Sequence, residues 1–456
     1  MRYEKYKQTG TKWITSIPVS WDMQKIGALF VQRKEKVSDK DFAPISVTKN
    51  GILPQLATAA KTDDGDNRKK VCVGDFVINS RSDRKGSCGV SDLEGSVSLI
   101  NIVLQPREQL SGRYAHYLLR NHLFSEEYYR NGRGIVADLW TTRYSEMKTI
   151  LLPVPPRAEQ DQIVRYLDWQ VSKINRLIAA KKRQLSILAE YRKAKIDEII
   201  LHGDKKAPQK DSGIWWLRDI PQSWQVIPLK RICQVNASIS NTAKQLSDEE
   251  LVTFLPMESV STTGTVDHSE KRRLGDVRSG YSSFALNDVV IAKITPCFEN
   301  GKGACLDSMD TDIGYGTTEF INLRASDRIL PRYLYMITMT QPFRKLGEEM
   351  MTGSAGQKRV PIEFVKGFAV GIPPIEEQAR LLALLNDVTK RIDCQTKSYY
   401  ESIISLQELR TRLISDVVTG QIDVRGIEIP EFEYTADVVA SEDESAEDME
   451  PDAEEA

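Results

Sequence analysis

The sequence predicts an α+β protein in which two globular mixed α/β domains are separated by a long antiparallel two-helix coiled coil, the whole forming a pseudo-two-fold tandem repeat. Three observations predict it. Blocks of sequence recur in the same order, each copy holds short strand-like runs, and each copy ends in a long helical stretch with a narrow apolar seam.

The repeat is visible by eye. Lys7, Gly10, Trp13, Ile17, Pro18, Ser20 and Trp21 return as Lys210, Gly213, Trp216, Ile220, Pro221, Ser223 and Trp224, each 203 positions on. GDFVI (74–78) returns as NDVVI at an offset of 213, and KGSC (85–88) as KGAC at 217. VPPRAEQ (154–160) returns as IPPIEEQ at 218, and KIDEIILHG (195–203) as RLISDVVTG at 217. Self-similarity of this kind marks repeated structural units, and the drifting offset places insertions inside the globular part.

Each copy opens on a Trp-bearing segment. The runs VCVGDFVIN and SLINIVLQ in copy one, and DVVIAKI and EFINL in copy two, read as strands. Short helical patterns follow around 114–121 and 333–340. The steps Pro155/Pro156 and Pro373/Pro374 suit the first turn of a helix, and Glu159 and Glu376/Glu377 suit its positive end. Neither 161–202 nor 379–419 contains Pro or Gly, so each can run as one helix of roughly 60 Å at 1.5 Å per residue. Apolar positions step by four and three: Ile174, Ile178, Leu185 and Leu188 in copy one, with Lys181 interrupting, and Tyr399, Ile403, Leu406 and Leu413 in copy two, with Arg410 interrupting. A seam this narrow needs a partner, and the other copy's helix is at hand; packing on its own domain is the blander alternative. The expected domains are 1–156, a helix over 157–203, linker and second domain over 204–374, a helix over 375–425, and a disordered tail over 426–456. Trp13, Trp21, Trp216 and Trp224 are read as anchors between domains and helices.

Composition narrows the function classes. The chain of 456 residues is 41% hydrophobic and 28% charged, enough for more than one core. No apolar run reaches membrane-spanning length and the start has no signal-peptide core, so a cytoplasmic location is expected. Six cysteines without a CxxC pair and four scattered histidines read as reduced, packed thiols and no metal site. The net charge of −2 hides an asymmetry: 13 carboxylates and no Lys or Arg follow Arg425, so the rest carries +11 and favours a polyanionic partner. The chain has no phosphate-cradling GxxxxGK[ST] loop, no GxGxxG after a strand and no GxSxG elbow. It also lacks the Asn-Pro-Pro-aromatic stretch of an adenine methyltransferase. No catalytic residue is expected.

Two loops per copy carry residues suited to phosphates and base edges. In copy one these are Asn79, Arg81, Arg84 and Lys85, then Arg133, Thr142 and Arg143. In copy two they are Lys293, Asn300 and Lys302, then Ser354, Gln357, Lys358 and Arg359. A polar hairpin loop would look similar, and Trp140 reads equally as core. The runs 68–70 and 271–273 read as solvated loop faces.

The repeat, the IP-x-S-W opening, the strand followed by SRSDRKGSCG or TPCFENGKG, and the PP-x-x-EQ start of a long helix together resemble the specificity subunits of type I restriction–modification systems. The resemblance covers residues 1–425. It implies that the globular regions are target recognition domains, each reading one half of a bipartite double-stranded DNA site. It implies that the paired helices set the gap between half-sites and dock two methylation subunits, with restriction subunits joining through them. S-adenosylmethionine, ATP and Mg²⁺ are then expected on those partners, which together make an adenine-N6 methyltransferase and ATP-dependent endonuclease; this chain would hold no cofactor. A structural adaptor of the same shape, binding protein instead of DNA, is the alternative.

Overall fold

The computed structural model describes residues 2–56, 65–134, 140–203, 206–353 and 356–435. The chain divides into two units, Met1–Arg183 with the chain from Tyr399 onward, and Gln184–Ser398. The first long helix, Arg157–His202, gives its N-terminal part to unit 1, and the second, Ile375–Val418, gives its C-terminal part. Unit 2 takes the remaining parts.

Both units carry the same four-stranded antiparallel sheet. In unit 1 the order is Cys88–Val90, Phe76–Asn79, Asn101–Pro106, Phe30–Arg33. In unit 2 it is Gly303–Cys305, Val289–Ala292, Phe320–Ala325, Cys233–Val235. The central strands are buried on both faces, which is why FVIN and VVIA are continuous apolar runs rather than alternating ones. The run VCVGDFVIN is two strands, not one. Gly74 takes φ +88°, turning the chain between Arg68–Val71, in a separate three-stranded sheet, and Phe76–Asn79. Asp75 caps that turn, accepting the Cys72 N–H at 2.9 Å and an ion pair from Arg33 at 2.7 Å. Asp288 does the same in unit 2, with the Ala285 N–H and Arg324, both at 2.8 Å. The repeated GD/ND motif is therefore a buried turn lock. Unit 2 adds a second four-stranded sheet with one parallel pair, Leu251–Leu255 beside Ile313–Gly316.

The runs 68–70 and 271–273 are strands, not solvated loops. Arg68 is buried and donates to Ser96 Oγ at 2.8 Å, and Lys69 reaches the Asn101 carbonyl at 2.5 Å.

The PP-x-x-EQ motif forms a joint between each domain and its helix. Gln160 and Gln378 have no exposed surface. The Gln160 carbonyl oxygen accepts the Ser111 N–H at 2.8 Å, and its amide donates to the Gln109 and Pro155 carbonyls at 3.0 and 2.9 Å. Gln378 repeats all three contacts with Leu330, Arg328 and Pro373. The far end of the other copy's helix closes each unit. The Tyr114 hydroxyl donates to the Val418 carbonyl at 3.3 Å in unit 1, and Tyr333 donates to the Ile200 carbonyl at 2.7 Å in unit 2. Gly420 faces Pro18 and Trp21, and Gly203 faces Trp224, so tightly that a Cβ at either would clash with a ring. Trp21 also donates to Glu159 at 2.9 Å. Trp21 and Trp224 thus bind domain to helix. Trp13 and Trp216 instead pack within their domains, edge-on to Phe124 and stacked on Phe368.

The expectation of disorder from 426 fails over the first ten residues. Gln162 donates to the Val424 and Ile427 carbonyls at 3.0 and 2.8 Å, and the Thr435 N–H donates to Ser172 at 2.9 Å. Ile427, Ile429 and Phe432 turn partly inward while Glu428, Glu431 and Glu433 stay exposed, so a segment with enough apolar teeth packs despite its charge. The rest of the acidic tail, 436–456, lies outside the described residues. The six cysteines are free thiols, with Cys394 exposed and Cys88, Cys233 and Cys305 buried.

Replacing Gln378 with Ala leaves backbone groups of Leu330, Arg328 and the buried Pro373 without their partner. A loss of about 2–4 kcal/mol is expected, read by chemical denaturation. A second expectation concerns acid. Burial, aided by Arg120 and Arg113, pushes the His116 imidazole down to about 3. The fold therefore holds the neutral ring, and the unfolded chain takes up a proton first. Stability from this group is full above about pH 6.5 and falls as pH drops toward 3, by about 2 kcal/mol at pH 5. His116→Gln should flatten that part of the pH–stability curve.

Candidate nucleic-acid interface

In each unit the two candidate loops lie side by side. The strand Phe76–Asn79 ends where the Asn79 side chain accepts the Arg81 N–H at 3.0 Å. A short turn, Ser82–Arg84, and Gly86 at φ +83° return the chain to Cys88. The later loop closes onto this turn: Ser82 N–H donates to the Trp140 carbonyl at 3.1 Å, and Thr142 N–H to Ser80 at 3.0 Å. Unit 2 repeats the arrangement, with Thr295 N–H donating to Lys358 at 3.0 Å and Val360 N–H to Lys293 at 2.9 Å. The bridges match one for one: Arg81 and Arg133 flank Thr141, as Ile294 and Thr352 flank Arg359.

The residues divide by environment. Arg81, Arg133 and Arg143 are exposed, and so is Arg84, which sits 3.8 Å from Asp83. Arg133 faces Glu146 at 3.8 Å. Lys85 is half-buried, held by Glu126 at 2.6 Å and lying 4.8 Å over the Tyr129 ring. In unit 2, Asn300, Gln357 and Lys358 are exposed, and Lys293 and Lys302 are half-buried. Among the described residues, no hydrogen bond or ion pair holds the side chains of Arg81, Arg143, Lys302 or Lys358. Arg359 is paired with Glu319 at 2.8 Å, and that bond holds the Glu319 carboxyl below its ordinary range. Ser354 lies outside the described residues.

Two expected contact residues are corrected. Asn79 is 9% exposed and Thr142 2%. The Thr142 hydroxyl donates to the Tyr128 carbonyl and its own carbonyl accepts from the Tyr128 hydroxyl, both at 2.9 Å. These side chains brace the loops from beneath and cannot reach a ligand. Trp140, half-buried, donates to the Tyr129 carbonyl at 2.8 Å and supports the same loop.

Ile174, Ile178 and Ile403 are buried; Leu185, Leu188, Tyr399, Leu406 and Leu413 are half-buried. The two interruptions make polar pairs across the seam. In unit 1, Arg410 donates to Asn175 at 2.9 Å and Lys181 lies 4.4 Å over the Tyr399 ring, so the helices run antiparallel. In unit 2, Arg192 grips Asp393 at 2.6 and 3.1 Å. These residues are the copies of Arg410 and Asn175, 218 positions away.

Among the described residues no group of His, Cys, Asp and Glu could hold a metal ion, and no helix is long and apolar enough to cross a membrane.

The chain is 34% identical over 257 residues to the specificity subunit of the type I restriction enzyme EcoAI of Escherichia coli, covering 56% of this chain and 41% of that protein. It is 33% identical over 205 residues to the EcoEI specificity subunit of the same organism, covering 44% and 34%. Its curated relatives are type I restriction enzyme specificity subunits. The chain spans less than half the length of these two relatives. The MjaVIII specificity subunit of Methanocaldococcus jannaschii matches at 22% identity over 302 residues. No protein-family model matches. Among solved structures, a chain from a type I R-M system aligns over 89% of this chain and 99% of its own, with TM-score 0.59 and 15% identity. The HsdS subunit of Thermoanaerobacter tengcongensis aligns over 91% and 100%, with TM-score 0.50 and 15% identity. These likenesses establish the mixed α/β specificity-subunit fold.

Lys302→Ala and Lys358→Ala should each weaken binding to duplex DNA by about three- to tenfold and lower the salt slope by about 1, without changing the melting temperature. A salt series of gel shifts checks this; unchanged affinity would remove these loops from the interface.

Proposed function

We propose that this chain is the DNA sequence-specificity subunit of a type I restriction–modification complex. Each unit reads one half of a bipartite site through its paired loops. The antiparallel helices set the gap and dock two methylation subunits, through which restriction subunits join. The chain itself carries no chemistry; S-adenosylmethionine, ATP and Mg²⁺ act on the partners.

The observation that carries this reading is the repeated loop pair. The same backbone bonds join the two loops in both units, yet the side chains they present differ: arginines in unit 1, lysines with Asn300 and Gln357 in unit 2. A shared frame with unlike exposed donors suits two different half-sites. Arg and Lys can reach guanine edges or phosphates, and Asn and Gln can pair with adenine. The methylation partner must take its adenine out of the stack, so the reader's part is to place that base.

The decisive measurement is genome-wide adenine methylation in cells expressing the chain with its neighbouring methylation subunit. One split motif with a fixed gap is expected, and exchanging loops 293–302 and 356–359 for those of a relative should change one half only. Methylation without a split motif, or none with a competent partner, would sink the reading in favour of a protein-binding adaptor.

A further inference from the structure

The two units are built alike, but one groove is treated differently. In unit 1 it lies between the helix Gly112–Leu119 and the start of the first long helix. The chain's own segment 427–435 covers it. Asn175 donates to the Thr435 carbonyl at 3.1 Å, and the Arg113 guanidinium lies 5.2 Å from the Tyr434 ring centre. Arg113 also pairs with Asp168 at 3.1 Å, which the Tyr117 hydroxyl contacts at 2.7 Å.

The equivalent place in unit 2 follows from the matched tyrosines, Tyr114 and Tyr333, and the matched glutamines, Gln160 and Gln378. It lies between Pro331–Met339 and the start of the second long helix, with residues 189–196 of the first helix alongside. Arg332 stands where Arg113 stands, Leu385 where Leu167 stands and Asn386 where Asp168 stands. Here no described segment of the chain covers the groove. The chain leaving Gly203 continues into the strand Gln209–Asp211, paired with Asp219–Pro221, whereas the chain leaving Gly420 runs back along the helix. The groove is an open cavity of about 1280 Å³.

Its lining is that of a peptide site. Ile196, Met336, Leu382 and Leu385 supply apolar floor; Lys193, paired with Glu190 at 2.8 Å, and Lys345 stand exposed on the rim, and Glu299, Asp307 and Glu348 also line the groove. Two polar groups in its wall lack partners among the described residues. The Tyr335 hydroxyl, in a residue 6% exposed, makes no hydrogen bond, and neither does Arg344 Nε, in a residue 8% exposed. At the matching position in unit 1 stands His116, whose neutral ring has one acceptor nitrogen, facing either the Val90 N–H at 3.3 Å or the Arg120 guanidinium at 2.9 Å.

We propose that this groove of unit 2 docks a linear acidic segment of a partner protein, with apolar side chains between its carboxylates, in the manner that 427–435 covers the groove of unit 1. The precedent supplies the chemistry: Ile427, Ile429 and Phe432 turn inward, and Glu428, Glu431 and Glu433 lie outside, where Lys193 and Lys345 would meet them in unit 2. Apolar teeth give affinity, and charge selects the partner and its direction. Asp393 replaces Asn175 and cannot donate to a backbone carbonyl, so the grip on the main chain falls to Tyr335 and Arg344.

The probe is a fluorescein-labelled peptide of the sequence of residues 427–435, titrated into the full chain and followed by anisotropy. Saturable binding is expected, weakened about tenfold or more by Lys193→Glu with Lys345→Glu. Ala383→Trp, at an exposed helix position on the groove wall, should block it sterically, and a peptide with lysine in place of each glutamate should fail to bind. Both variants alter exposed side chains, and unchanged melting would show that they fold. Absence of saturable binding, or binding indifferent to both variants, overturns the proposal. A dimer of the chain alone that the lysine variant dissolves would also overturn it, assigning the groove to a second copy. The proposal does not depend on DNA reading: a split methylation motif can appear while the peptide fails, and the reverse.

Discussion

A helix of more than forty residues with a narrow apolar seam cannot hold itself in water, and everything else in the molecule depends on how that seam is buried. Neither long helix could use its own domain alone, since a domain touches only the first few turns. The seam is closed by the other copy's helix, with Ile174 and Ile178 buried on one side and Ile403 on the other. The charged interruptions are not defects in it. Arg410 with Asn175, and Arg192 with Asp393, are paired polar contacts at matched positions. A pair of this kind adds little net stability, but a slipped register would leave an arginine against apolar neighbours. These pairs therefore fix register.

Helix closure then dictates the domain joints. Because each helix ends beside the other copy's domain, each domain must grip two helix ends at once. Gln160 and Gln378 hold the starts; Tyr114 and Tyr333 hold the ends by their last carbonyls. Gly420 and Gly203 suit those ends because the ring of Pro18 or of Trp224 occupies the space of a side chain. These joint residues are thus parts of one device, whereas another repeat, KGSC and KGAC, lies in the loop pair and carries Lys85 and Lys302. Loops can change while the frame stays.

How much of this could be read from the chain follows from the physics of each feature. The repeat, the helix starts and the seam rest on periodicity and Pro-Pro punctuation, which are local and survive without coordinates. The pairing of the two loops in each unit does not. It depends on backbone bonds between residues some sixty positions apart, such as Ser82 with Trp140, and no composition signals them. Asn79 and Thr142 looked like contact residues because their types are those that reach bases, but the same side chains also tie turns, and here they do that. The split at Gly74 was hidden because a buried strand and its neighbour both read as apolar runs. The course of the segment 427–435 was hidden for the opposite reason. Glu428, Glu431 and Glu433 dominate the average over that stretch, while Ile427, Ile429 and Phe432, spaced between them, decide where it goes.

The small number of exposed cations in each loop pair limits what the chain can do unaided. Unit 1 offers four exposed arginines, Arg81, Arg84, Arg133 and Arg143, and acidic Asp83 and Glu146 stand close to two of them. Unit 2 offers Lys293, Lys302 and Lys358, with Arg359 already committed to Glu319. Phosphate contacts supply most non-specific affinity, and each is worth roughly one unit of salt slope. Patches this sparse discriminate better than they hold, because a side chain spent on a base edge is lost to the backbone. If the chain reads DNA as proposed, the frame would supply rigid placement and the loops choice, and the remaining affinity would come from partner proteins. Dependence on partners would then follow from the charge distribution as much as from the missing catalytic motifs.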